Sequence, residues 1–313
     1  MSPPPSIVCP IDFSEGSLTA LNYAAVIADH FGARLIVVSV DDPLLASAAD
    51  SAGLPPLADE TGRELRRFVS DALPGTAFHA VTVDFEVCSG KPATEILRIA
   101  QHTRSDLIVI SSQGRSGLRK RFFGSTTEHV LRETTIPVLI TPRHAHHVVS
   151  VEALSHHLKR VVVPVDLTAA SAWQARVAGG IALAMGVPLV IAHVLEPVYV
   201  PPKLRVAFPG TDVERRDEVE TRLRDLVEAS GIRPAPEAIV LTGETSEEIV
   251  RLADTREAGL IVMGLHSSGV MAPRMGSVAY RVLCMTRALV LALPPRPTGN
   301  VNWTRVAEAE AVT

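Results

Sequence analysis

The chain carries one plan twice, and this repeat limits its possible folds more than any other feature. Ile7-Val8-Cys9-Pro10-Ile11-Asp12-Phe13-Ser14 recurs 154 positions later as Val161-Val162-Val163-Pro164-Val165-Asp166-Leu167-Thr168. Ser89-Gly90-Lys91-Pro92 recurs as Thr242-Gly243-Glu244-Thr245 and Leu107-Ile108-Val109-Ile110 as Leu260-Ile261-Val262-Met263, both at an offset of 153, and Gly124-Ser125 recurs as Gly276-Ser277 at 152. Solenoid repeats run to about 20–50 residues, so a period this long points to a duplicated domain. The expected units are a domain over 1–142, a linker over 143–158, a second domain over 159–294 and a tail over 295–313.

Within each unit, short apolar runs rich in β-branched residues alternate with helical patterns. In the first, the strands are expected over 7–12, 34–40, 78–88, 107–110 and 136–140. Helices are expected over 14–31, 59–73, 90–102 and 125–133, with 41–57 left as a Pro- and Ala-rich loop or lid. The second unit repeats this order, with a Pro-rich loop over 197–210 and a charged helix over 213–230. Near-continuous apolar strands separated by helices indicate a parallel sheet covered on both faces. The fold class is therefore α/β, two repeated doubly wound domains, each a five-stranded parallel sheet with helices on both faces. In such sheets ligands sit beyond the carboxyl ends of the strands, at the switch point. Asp12, Val40 and Ser111-Ser112 all fall at expected carboxyl ends.

Composition removes several functions. With 30 basic and 34 acidic residues the net charge is −4, which argues against broad nucleic-acid binding, since that needs a basic face. The uncharged run 177–192 is shorter than the roughly 20 residues of a membrane span and is broken by Gly179-Gly180, Gly186 and Pro188. It is read as a buried helix followed by a buried strand. Cys9, Cys88 and Cys284 have no paired spacing; Cys9 is read as a buried strand thiol and the other two as partly buried. The first residues have neither a basic segment nor a long apolar one, so no secretory signal is expected and the compartment is read as cytoplasm. His144, His146, His147, His156 and His157 crowd the linker. Their spacing fits no closed zinc pattern, so they are read as a solvated linker with no metal, of which 148–158 could be a short helix.

Candidate chemistry concentrates in one stretch. Leu107 to Ser111 runs as a strand into Ser112-Gln113-Gly114-Arg115-Ser116-Gly117, a small-residue loop that also carries Arg119, Lys120 and Arg121. Gly124-Ser125 then opens a helix, with Ser125 expected as its N-cap. A strand, a basic glycine loop and a helix N-terminus together form an anion cradle. Nine residues separate Gly114 from Gly124, and Ser125 follows. In this the stretch resembles the loop of the universal stress proteins, which runs Gly, two residues, Gly, nine residues, Gly, then Ser or Thr; Ser111 stands where the first glycine is expected. Pro10-Ile11-Asp12-Phe13-Ser14, Pro137-Val138 and their second-half counterparts extend the resemblance over about 6–142 and 159–294.

The resemblance implies ATP binding. Carried over by position, adenine would meet Pro10, Ile11, Asp12 and the backbone of Val40. Ile110, Ser111 and Gln113 would lie near the ribose and phosphates. Gly114, Arg115, Gly124, Ser125 and Thr126 would hold phosphate, where only glycine lets backbone N–H groups approach without a Cβ in the way. Ser111 brings either a Cβ that crowds the site or a hydroxyl that makes a new contact. In the second half Ser267 replaces Gly114, the spacing to Gly276 falls to eight, and Arg274 is the loop's sole cation. That site is expected to be degenerate.

Three classes of function stand at this point: a nucleotide-responsive stress or regulatory module without turnover; an interaction protein with vestigial sites and an unidentified client; and a slow ATPase. The last lacks a Walker-type Gly-Lys-Ser/Thr or an evident carboxylate base. A receiver built on Asp41-Asp42 is conceivable, but the pair has no counterpart in the repeat. The short linker and the resemblance together imply that the halves pack as a pseudo-twofold pair, and the resemblance alone points to 137–141 and 289–293 as the contact edges, with a homodimer also possible.

Overall fold

In the computed structural model, residues 4–73, 81–114, 124–142, 148, 150–197, 211–265 and 275–295 are described. In the first half, β1 (Ser6–Pro10), β2 (Arg34–Asp41), β3 (Val83–Ser89), β4 (Leu107–Ser111) and β5 (Val138–Thr141) pair in parallel in the order β3-β2-β1-β4-β5. The second half repeats this with β6 (Val161–Pro164), β7 (Leu189–Leu195), β8 (Glu237–Thr242), β9 (Leu260–Gly264) and β10 (Leu289–Leu293), in the order β10-β9-β6-β7-β8. The two sheets are continuous. β5 and β10 pair antiparallel, Leu139 opposite Leu291, Val138 opposite Ala292 and Ile140 opposite Val290. The strands expected to meet do meet, and they do so by main-chain pairing, giving one sheet of ten strands related by a pseudo-twofold at Leu139–Leu291.

Strand alternation divides the core between the two faces. Ile7, Cys9, Val37 and Val109 face α1 (Glu15–Phe31) and α3 (Leu57–Ala72); Val161, Val163 and Val262 on the same face meet α7 (Ser171–Ala184) and α8 (Thr211–Ser230). Val8, Val38, Ile108 and Ile110 face α4 (Pro92–His102) and α5 (Ser125–Glu133), and Val162, Ile261 and Met263 face α9 (Thr245–Thr255) and α10 (Ser277–Met285). Both clusters run through the two halves. The uncharged run read as helix plus strand forms α7 and β7. Among the described residues no helix is long and apolar enough to cross a membrane.

Four expectations change. The 41–57 loop contains a helix, α2 (Pro43–Ser51): Asp42 caps the Leu44 N–H at 2.8 Å and Pro43 supplies a preset φ at the first helical position. Its sequence gave no helical signal by burial, because α2 buries none of its residues. The linker is not simply solvated. Ser150 caps α6 (Val151–Leu158), whose Leu154 and Leu158 enter the core beside α1. His144, His146 and His147 lie outside the described residues. Cys284 is exposed, because it lies on the outer side of α10, whereas Cys9 is buried and its thiol is pushed far up by that burial. Gly124, not Ser125, is the N-cap of α5.

Candidate functional site

The β1–β2 ladder ends at Pro10 opposite Val38, with Ile11 N–H donating to Val38 O at 2.7 Å. There the two strands part. The chain turns at Phe13, whose φ of +61° is unusual for a bulky residue, and the ring is held edge-on against Phe68 of α3 at 5.6 Å. The turn folds Asp12 back, so that Oδ1 accepts from Ser14 N–H at 3.1 Å and Ser14 Oγ–H at 2.5 Å. Ser14 then caps α1 in a reciprocal box with Ser17.

The turn after β4 is built just as closely. Ser111 Oγ donates to Gln113 O at 2.8 Å and accepts from Gln113 N–H at 3.2 Å, while Thr127 Oγ1 donates to Ser111 O at 2.8 Å. Ser112 N–H bonds Thr141 O, and Gly124 N–H bonds Ser112 O, each at 2.9 Å. The excursion between Ser112 and Gly124 is therefore pinned at both ends. The hydroxyl that replaces the expected first glycine makes a local turn.

Two glycines join these turns. A Cβ at Gly114 would lie 2.4 Å from Asp12 Oδ2, and one at Gly16 would lie 2.4 Å from Ser111 Oγ and 2.5 Å from Gln113 O. Asp12, Gly16, Ser111, Gln113 and Gly114 thus meet at the carboxyl end of the sheet, where the order reverses between β1 and β4. Among the described residues no side chain caps α5 at Gly124. Its first N–H groups, which include those of Ser125 and Thr126, have no intrahelical partner and lie at the positive end of the helix dipole.

Of the residues proposed from the sequence, Pro10, Ile11 and Val40 stand where β1 and β2 part. Gly124, Ser125 and Thr126 form the start of α5. The Ile110 side chain is committed to the core beneath α4 and α5, which leaves only its backbone for a ligand. Arg115, Arg119, Lys120 and Arg121 lie outside the described residues. Gly16 and Thr127 were not singled out on the sequence, and Phe13 only as part of the repeated motif. Only Gly16 left a signal, as a glycine in the first turn of a helix where Ala would be preferred. Asp41 and Asp42 are engaged structurally, the first accepting from Thr61 Oγ1 at 2.8 Å and the second capping α2.

The second half reproduces the frame. β6–β7 pairing stops at Pro164 opposite Ala192, Leu167 has a φ of +57°, and Asp166 Oδ1 accepts from Thr168 N–H, Thr168 Oγ and Ser171 Oγ. Leu265 N–H bonds Leu293 O and Gly276 N–H bonds Leu265 O, both at 2.8 Å. The loop mouth is thus kept although the loop is one residue shorter. Ser267 and Arg274 lie outside the described residues. Two cavities, of about 280 and 260 Å³, also occur in this half: one between β8 and α9, the other at the ends of β7 and β8. Neither is at the β6–β9 switch point. Among the described residues no group of three or more His, Cys, Asp or Glu side chains could hold a metal ion.

Comparison with known proteins gives a consistent result. The sequence profile of the universal stress protein family matches twice, over residues 5–142 and 157–292. A universal stress protein of Methanocaldococcus jannaschii is 31% identical over 141 residues, 44% of this chain and 81% of its own length. One from Thermus aquaticus is 30% identical over 136 residues, 43% of this chain and 96% of its own. A crystal structure of a putative universal stress protein from Pseudomonas aeruginosa shares the fold over 98% of both chains, with a TM-score of 0.64 at 19% identity.

Proposed function

The chain belongs to the universal stress protein family as a tandem member, and from that premise we propose that its first half binds an adenine nucleotide of ATP type and its second does not. The observation that carries this reading is the N-terminus of α5, which no side chain among the described residues caps, beside Ser112 and Gln113 at the end of β4, next to the β1–β4 switch point. The N–H groups of a helix start and the positive end of its dipole are what a phosphate chain needs. Asp12 supplies an acceptor for a ribose hydroxyl or an adenine amine. The protein then acts as a regulatory stress module in the cytoplasm, reporting nucleotide level to a client without turning the nucleotide over.

The test is mass spectrometry of gently purified protein. ATP or ADP at about one equivalent per chain supports the reading; a protein that carries none and takes up none at millimolar ATP overturns it. One observation favours the interaction-module alternative: Leu44, Leu45 and Leu54, in and just after α2, are 60–79% exposed. Clustered exposed leucines of this kind mark contact surfaces.

A further inference from the structure

The β1–β2 ladder has a regular alternation. Even-numbered residues of β2 face β1, as in Arg34 N–H to Pro5 O at 2.8 Å, and Val38 O accepts from Ile11 N–H. The next rung would join Val40 N–H to Ile11 C=O, but pairing stops at Pro10 opposite Val38 and this rung is not made. An unmade rung leaves one donor and one acceptor side by side. Adenine presents the complementary pair, an amino donor next to a ring-nitrogen acceptor.

The second half leaves the same rung unmade. Val165 N–H donates to Ala192 O at 2.8 Å, pairing stops at Pro164 opposite Ala192, and Val194 N–H does not reach Val165 C=O. Here, however, the carbonyl already accepts a hydrogen bond. His193 Nδ1 lies 2.8 Å from Val165 O, and since the carbonyl can only accept, Nδ1 carries the proton. The corresponding residue of the first half is Ser39, buried and too short to span the gap with a ring.

We infer that His193 closes the base end of the second site, its ring standing against the carbonyl an adenine amino group would use. This rests on the first-half reading above for the identity of the ligand. It adds a second, independent bar to nucleotide binding in that half, separate from the loop in which Ser267 replaces a glycine. Restoring the loop alone would not restore the site.

The probe is adenosine, which carries the base without the phosphates that the second loop is poorly equipped to hold. Equilibrium dialysis of the wild type against H193S, the residue found in the first half, reads the inference as a change in stoichiometry. The expected result is one adenosine more per chain in H193S than in the wild type, from one to two. No gain in an H193S protein with wild-type circular dichroism and melting temperature overturns the inference. The wild type alone tests the functional reading: zero in the wild type and one in H193S sinks that reading while upholding the role of His193. Nitrogen-15 NMR of the imidazole gives a ligand-free check. A proton on Nδ1 is expected, and the tautomer with its proton on Nε2 alone removes the donor and overturns the inference.

Discussion

Replacing Gly16 by alanine sets two effects of opposite sign against each other. Glycine to alanine inside a helix normally stabilises by up to about 1 kcal/mol, and less at the second helical residue, where Gly16 sits. The new Cβ, however, would fall 2.4 Å from Ser111 Oγ, 2.5 Å from Gln113 O and 3.2 Å from Ser111 Cβ. The two oxygens would have to move by about 1 Å to reach ordinary contact, and one of them is backbone. Ser111 cannot simply rotate away, because its hydroxyl closes the turn at Gln113. Overpacking of this kind costs about 1–3 kcal/mol, and losing the turn's hydrogen bond about 1 kcal/mol more. The expected net result is a loss of about 1–3 kcal/mol, read as a lower urea midpoint at an unchanged slope. Adding S111G removes two of the three short contacts and should recover part of the loss, with a coupling of about 1 kcal/mol in the double-mutant cycle. A G16A protein as stable as the wild type, or more so, refutes the apposition of the two turns.

Further outcomes follow from other contacts. At Gly259 a Cβ would lie 2.2 Å from His157 O and 2.5 Å from Leu158 Cα, both at the end of α6, so G259A should lose at least about 2 kcal/mol in urea unfolding; a loss below 0.5 kcal/mol, within the usual scatter of surface changes, would contradict that packing. Glu244 is held below its ordinary pKa of 4.5, first by Ser246 Oγ–H and then by Glu247 N–H. A lowered carboxylate lends stability that is full above pH 4.5 and is lost as pH falls through the folded value, so E244Q should flatten the decline in urea midpoint below pH 4.5. An acid limb identical in E244Q and wild type would count against it. Because α2 buries nothing, L44Q/L45Q should leave stability within about 0.5 kcal/mol; a loss above 1 kcal/mol would mean that those leucines are packed.

The duplication and the parallel strands were legible because local pattern carries them. Apolar runs such as 107–110 and 260–263 show strands buried on both faces, and the repeat places their partners. That β5 and β10 meet follows from family resemblance alone, and their antiparallel pairing was not legible at all, since nothing in Val138–Thr141 distinguishes an edge from an inner strand. The α2 helix had local cues in Asp42 and Pro43, yet its lack of a buried face removed the periodicity that would have revealed it. Ser125 was misplaced by one residue because the N-cap rule favours a side-chain acceptor, and here the cap is a glycine. Gly16 against Ser111, and His193 against Val165, join segments 95 and 28 residues apart. Their meaning exists only after the sheet has brought them together.

The central claim is a single nucleotide site in the first half, and titration calorimetry with ATP tests it most directly. The wild type should give a stoichiometry of one per chain. G114V should abolish binding, because its branched side chain enters the space held by Asp12 Oδ2 and displaces a carboxylate of the proposed site, while S267V should bind as the wild type does. Two equivalent sites per chain, or a G114V protein that binds ATP unchanged, would contradict the account.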